Sequence, residues 1–201
     1  MTTILFLVGS LRQDSLNARL SRVAMREMPQ GYDAAFFDIG TLPFYNADLE
    51  GENTPAVVRE FRDAVRNADG VFVTTPEYNY ALPGVVKNAV DWASRPALQR
   101  NSIVGTPMNV AVATISATNG IRSLTDLKRI WANCGGVTVN SFDFVLQSAP
   151  AKFIEQDGVE TLEPVSLKVL RFAMDNLERL IEHKAGRVLE ANWDAYTESL
   201  K

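Results

Sequence analysis

An α/β fold built on a doubly wound parallel sheet is what this sequence predicts, and three observations carry the prediction. Short apolar runs recur along the chain, each is followed by a segment of helical periodicity, and no polar linker, repeat or low-complexity tract breaks the alternation. The 201 residues suit one core, since a chain of this size buries about 70% of its unfolded surface. We therefore expect a single domain over residues 1–201, with 184–201 as a C-terminal tail.

The first apolar run is ILFLVG at 4–9, of strand length and closed by a glycine. Leu16, Leu20, Val23 and Ala24 then recur at helical spacing, and Pro29 and Gly31 should end that helix. A second run, AAFFDI at 34–39, precedes a helix at 55–67, and a third, GVFVTT at 70–75, precedes a helix at 83–94. The fourth run, MNVAVAT at 108–114, leads to a helix at 120–133, and a fifth strand is expected within VTVNSFDFVLQ at 137–147. A last helix follows at 164–183. Five strands and five helices in strict alternation predict a flavodoxin-like, five-stranded parallel sheet of order 2-1-3-4-5 with helices on both faces. Ligands of such sheets sit beyond the carboxyl ends of the strands, where strand order reverses. The loops to inspect are therefore 9–15, 75–83 and 114–120.

Bulk chemistry narrows the function classes. Hydrophobic residues at 46% and charged residues at 22% match an ordinary soluble globular protein. The net charge of −4 offers no basic face for nucleic acid. The N-terminal MTTILFLVG is too short for a secretory signal and lacks its basic flank, and no apolar run approaches the ~20 residues of a membrane helix. No membrane partner and a cytoplasmic location are expected. Cys134 is the sole cysteine and cannot form an internal disulfide, and beside Gly135 and Gly136 it reads as a small buried hydrophobe. His183 is the sole histidine, in the charged stretch ERLIEHKAG, which reads as an exposed helix end. Neither a zinc site nor Ser-His-Asp chemistry is supported, and no metal is expected.

The first loop, GSLRQDSLNARL, gathers Gly9, Ser10, Arg12, Ser15 and Asn17 at the start of a helix. Small residues allow close backbone approach, hydroxyls and the amide bond phosphate oxygens, and a helix N-terminus favours an anion by ~1 kcal/mol. The competing reading is a cap by Asp14 or Ser15 with Arg12 as a solvated charge. Neither G-x-G-x-x-G nor G-x-x-x-x-G-K-[ST] is present, so a terminal monophosphate such as that of FMN fits better than a dinucleotide or nucleoside triphosphate.

The second loop lies in TPEYNYALPGVVKNAVDWASRP. Pro76 and Pro83 stiffen its two ends, Tyr78 and Tyr80 offer flat apolar faces, and Glu77, Asn79 and the backbone can meet the polar edge of a ring. The tyrosines can equally pack on the sheet end or form a subunit contact. Lys87, Asn88 and Asp91 share a helix face, either orienting the loop or making a surface pair, and Trp92 reads as core or interface.

GSLRQDSLNARL followed by PEYNYALPGVVKNAVDW resembles the NADPH-dependent FMN reductase family, which includes NAD(P)H quinone, azo-dye and chromate reductases. The resemblance implies that Ser10, Arg12, Ser15, Leu16 and Asn17 hold the FMN phosphate, and that Pro76, Glu77, Tyr78, Asn79 and Tyr80 line the isoalloxazine ring. Ser116, in TISATNGIRS, matches a further flavin contact. It also implies NADPH or NADH as co-substrate, a quinone, free flavin, azo dye or chromate as acceptor, a homodimer or homotetramer, and no catalytic side chain, because the flavin carries the chemistry. The chain departs from the family at Ala81, where a small hydroxyl residue is common, and at Asn119-Gly120, where a Gly-Gly pair is common. The alternative expectation is a flavodoxin-type electron carrier that docks on protein partners.

Overall fold

A parallel sheet covered on both faces must send alternate residues of each strand into opposite layers. The computed structural model describes residues 1–96, 100–115, 120–140 and 143–199, and it shows this division. In β1 (Thr2–Val8), Leu5 and Leu7 enter one apolar layer while Ile4 and Phe6 enter the other. The split repeats in β3 (Gly70–Thr74), where Val71 and Val73 oppose Phe72, and in β4 (Pro107–Ala113), where Val110 and Val112 oppose Ala111 and Ala113. Each such buried side chain contributes roughly 1.5–3 kcal/mol, which is why β3 and β4 read as nearly unbroken apolar runs.

Helices α1 (Leu16–Arg26) and α5 (Pro164–Glu182) close one layer through Leu20, Val23, Leu170 and Met174. On the other face lie α2 (Ala56–Asn67), α3 (Gly84–Ala93) and α4 (Ile121–Asn133), with Phe61, Ala89, Trp92, Leu124 and Trp131 buried. Trp92 is thus core, and its indole N–H donates to the Pro43 carbonyl at 2.7 Å. Lys87 and Asp91 form an exposed pair at 2.6 Å, whereas Asn88 holds the 43–45 segment by bonding the Pro43 carbonyl and the Tyr45 N–H.

Strand order is β2-β1-β3-β4-β5 as expected, with β2 (Tyr32–Phe37) pairing β1 in parallel. Two boundaries differ from the sequence reading. The second strand begins and ends two residues early, because the Asp38 carboxylate accepts the Gly40 N–H and turns the chain out of the ladder. The fifth position holds two short strands, β5 (Val137–Thr138) and β6 (Phe144–Leu146), both pairing β4. Polar residues next to the break use their side chains locally: Thr138 bonds Asn140 at 2.7 Å, and Asp143 pairs Lys128 at 2.6 Å.

A hairpin absent from the sequence reading follows: β7 (Phe153–Gln156) and β8 (Val159–Leu162) pair antiparallel around Asp157 and Gly158, both at positive φ. It grips α1, since the Arg19 guanidinium lies 4.1 Å above the Phe153 ring and 2.7 Å from Glu160. The tail forms α6 (Arg187–Ser199), reached through Gly186, where a Cβ would stand 1.7 Å from the Gly105 carbonyl oxygen. His183 is exposed at the C-terminus of α5. Among the described residues no helix is long and apolar enough to cross a membrane.

Where β4 ends, α1 takes over its hydrogen bonds. The buried Asn17 amide donates to the Ala113 carbonyl at 3.0 Å and accepts the Ala113 N–H at 2.8 Å, while Thr74 Oγ1 donates to the Asn17 carbonyl at 2.9 Å. Asn17→Ala strips both partners from a buried backbone unit, so a loss of about 3 kcal/mol is expected. Urea unfolding followed by circular dichroism measures it, and an unchanged midpoint would contradict the assignment.

Candidate functional site

The ends of β1, β3 and β4 bring the first two loops together before any ligand is considered. Gly9 donates its N–H to the Thr74 carbonyl at 2.7 Å, and a Cβ there would lie 2.4 Å from Thr75 Oγ1 and 2.5 Å from Val86 Cγ2. Only glycine permits this approach. Beyond it opens a cleft of about 320 Å³ between the first loop, Pro76 to Tyr78, and the stretch 113–115 after β4.

The first loop supplies donors. Ser15 caps α1, its Oγ accepting the N–H groups of Asn17 and Ala18 at 3.2 and 3.3 Å, which leaves its own O–H to donate. Among the described residues the backbone N–H groups of Leu11, Arg12, Gln13 and Asp14 have no acceptor, and Arg12 makes no ion pair. Ser10 Oγ stands 3.4 Å from the Tyr78 hydroxyl. Leu16 lines the cleft as well. Asn17 reaches it too, but its amide is committed to Ala113, so its part in the site is to fix the loop. The structure thus combines the two readings of this loop: Ser15 is a helix cap and a cleft residue at once.

The second loop is a two-residue turn. Tyr78 and Ala81 exchange both backbone hydrogen bonds at 3.1 Å, with Asn79 at φ 49° and Tyr80 at φ 63° between them. Positive φ at both central positions defines a type I′ turn, which Asn tolerates and a bulky tyrosine normally avoids. The turn lifts Asn79 and Tyr80 out of the cleft wall, and Tyr80 is 67% exposed. The Arg122 guanidinium lies 4.9 Å over the Tyr80 ring.

Glu77 explains how that turn is held. Its side chain is 1% exposed, and Oε2 accepts the N–H groups of Gly120 and Arg122 at 2.9 and 3.0 Å, at the N-terminus of α4. There the helix dipole and unpaired N–H groups favour a carboxylate. Its other oxygen stands 3.6 Å from the Arg122 guanidinium, and Ser123 Oγ donates to the Pro76 carbonyl at 2.9 Å. Glu77 therefore clamps the second loop to the third. Gly120 was expected at a helix start, whereas Arg122 and Ser123 were not singled out from sequence. Ser116 lies outside the described residues.

Among the described residues no side chain in the cleft is arranged as a nucleophile with its base. Cys134 lies elsewhere, half-buried at the end of α4, and burial pushes its thiol pKa up against a hydrogen bond from Ser94 and the charge of Arg95.

Two measurements check this geometry. Glu77→Ala is expected to cost about 1–2 kcal/mol through the lost helix cap, and Glu77→Gln, which keeps an acceptor oxygen, less; thermal unfolding of both variants decides it. Because the raised pKa keeps Cys134 protonated at pH values that ionise a free thiol, iodoacetamide at pH 8.5 should label it several-fold more slowly in the native than in the urea-unfolded protein.

Comparisons with known proteins identify the family. The profile of the NADPH-dependent FMN reductase family matches residues 2–151. The chain is 36% identical over 160 residues to a 2-hydroxy-1,4-benzoquinone reductase of Burkholderia sp, covering 77% of this chain and 79% of that protein. It is 33% identical over 144 residues to a quinone reductase of Escherichia coli K12, covering 71% and 76% respectively. Among solved structures, the flavoenzyme NAD(P)H:(acceptor) oxidoreductase FerB of Paracoccus denitrificans superposes with a TM-score of 0.81 at 31% identity, over 92% of this chain and 99% of that one. With a loop cleft of unpaired donors on a sheet of order 2-1-3-4-5, and a family profile spanning most of its length, this chain belongs to the NADPH-dependent FMN reductase family.

Proposed function

We propose that the protein is an FMN-dependent oxidoreductase that takes hydride from NAD(P)H and passes it to a quinone or a similar acceptor, such as free flavin, azo dye or chromate. The observation that carries this reading is the cleft itself, in which Arg12 is unpaired, the N–H groups of residues 11–14 are free among the described residues, and no acid-base pair competes for the chemistry. These donors fit a terminal phosphate. Arg12, Ser10 and the Ser15 hydroxyl would hold it, Leu16 and Asn17 would shape the cradle, and Pro76, Glu77 and Tyr78 would border the ring. Asn79 and Tyr80 would rim its open side, with Ser116 as a further contact.

FMN held by these residues would supply the hydride chemistry that links nicotinamide and acceptor; the protein's part is to position the partners and exclude competing reactions. An open face suits alternation: the donor leaves before the acceptor enters. The exposed apolar residues Leu11, Phe44, Tyr80 and Ile115 support the same reading, since a flat apolar acceptor or a second subunit suits them better than an acidic carrier surface does. The net charge of −4 is likewise modest for a flavodoxin-type carrier. A homodimer or homotetramer that covers part of this rim, and a cytoplasmic setting where NAD(P)H is plentiful, belong to the proposal.

Four outcomes are expected. The protein purifies yellow with stoichiometric FMN, and a colourless protein that cannot be reconstituted sinks the reading. NAD(P)H added anaerobically bleaches the flavin without any partner protein; bleaching that requires a separate reductase favours the carrier. Double-reciprocal plots at several acceptor concentrations are parallel, and intersecting lines reject the alternation. Arg12→Ala weakens FMN binding by about 10–100-fold, the value of a charge-assisted hydrogen bond, while riboflavin, lacking the phosphate, binds as before.

A further inference from the structure

A second groove adjoins the cleft and has features the flavin does not account for. It lies between α1 and the end of β2, encloses about 660 Å³, and shares Ser10 and Arg12 with the cleft. Its walls are apolar, from Leu11, Met25, Phe36 and Phe37, and Phe36 is exposed although a solvated edge strand has no use for a phenyl ring there.

Three polar features point to a ligand. Arg12 and Arg22 both line the groove, and among the described residues neither makes an ion pair or hydrogen bond, whereas most of the chain's other arginines have a partner. Ser21, 2% exposed, also lines the groove, and its Oγ has no hydrogen-bond partner. Buried hydroxyls are normally satisfied. Asp38 stands at the end of β2, with one carboxylate oxygen on the Gly40 N–H and the other not bound by any described residue. An apolar slot for a flat ring, an arginine, Arg22, that the flavin site does not use, and an acid placed for a ribose diol together describe an adenosine phosphate.

We propose that this groove receives the ADP half of the pyridine nucleotide, with Arg22 on its phosphates and Asp38 on its adenosine ribose. The assignment rests on the NAD(P)H reading above. The groove adjoins the cleft along Ser10 and Arg12, so a dinucleotide with its nicotinamide on the open flavin face would pass outside the FMN phosphate that these residues hold. Asp38 repels a ribose 2′-phosphate and Arg22 attracts it, so the balance of these two side chains sets the choice between NADH and NADPH.

The test is calorimetric titration of the FMN-loaded protein with 5′-ADP and with 2′,5′-ADP, repeated for Arg22→Ala and Asp38→Asn. Arg22→Ala should weaken both ligands about tenfold and raise the KM for NADPH similarly, with FMN content and kcat retained. Asp38→Asn, which can still cap the 39–41 turn, should strengthen 2′,5′-ADP relative to 5′-ADP. No binding of either nucleotide to the wild type, or binding indifferent to Arg22, overturns the proposal. So does an Arg22 effect confined to the retention of FAD by the flavin-free protein, which assigns the groove to a flavin's adenylate. Wild-type FMN content and NADH bleaching in the same preparations separate these failures from failure of the oxidoreductase reading.

Discussion

The Asn17 side chain bonded to the Ala113 backbone is the interaction on which the site depends. β4 pairs β3 on one side and two short strands on the other. At its carboxyl end Asn17 supplies one donor and one acceptor in the plane of the lost ladder, so the strand terminates without unsatisfied groups. Because Thr74 also bonds the Asn17 carbonyl, the first turn of α1 is tied to β3 and β4 together. Three chain segments that diverge in sequence are thereby held at one point, and the cleft lies directly beyond it.

A second clamp works outward from that point. Glu77 is an acid in the middle of the ring-facing loop, where a reader of sequence looks for proton transfer or contact with a ligand. The fold buries its carboxylate on the start of α4, where two backbone N–H groups bond Oε2 while Oε1 faces the Arg122 guanidinium at 3.6 Å, beyond hydrogen-bond reach. The cost of holding Tyr80 at positive φ is of order 1 kcal/mol or more, and it is sustained because the turn is fixed at one end by this buried carboxylate and at its tip by Arg122 over the Tyr80 ring. Glu77 and Arg122 thus act on the site's shape without facing into it.

These two clamps also show what sequence could and could not reveal. Strand order, the positions of α1 to α5 and the first two loops were legible because burial on both faces writes continuous apolar runs, and helices write a 3.6-residue period. The identities of the cleft residues were legible as types: serines, an arginine, tyrosines. Their commitments were not. Nothing local distinguishes an Asn that bonds phosphate from one that bonds a strand 96 residues away, or a glutamate facing a ring from one capping a helix 43 residues on. The hairpin at 153–162 was different, since Asp157-Gly158 is a plain I′ signal, passed over in favour of strict strand-helix alternation. On either side of the break in the fifth strand Thr138 bonds Asn140 and Asp143 pairs Lys128 on α4, commitments that apolar content alone does not register.

The absence of a catalytic dyad then places selectivity at the rim. In a site whose chemistry belongs to a cofactor, the protein can discriminate only by who reaches the ring, in what orientation, and against which charges. Here the rim is built from side chains that the clamps do not cover: Tyr80 under Arg122, and Leu11 beside the second groove. Ala81 removes a hydroxyl from the same turn and makes its edge more apolar, while Gly120, at φ 124° and with Val112 and Val145 within 3 Å of any added Cβ, keeps the start of α4 close to the sheet. On the proposed function, the exposed Tyr80 and Leu11 suit a flat apolar acceptor in the cleft and the unpaired Arg22 suits an anionic group in the groove, so that recognition of donor and acceptor would rest on different side chains.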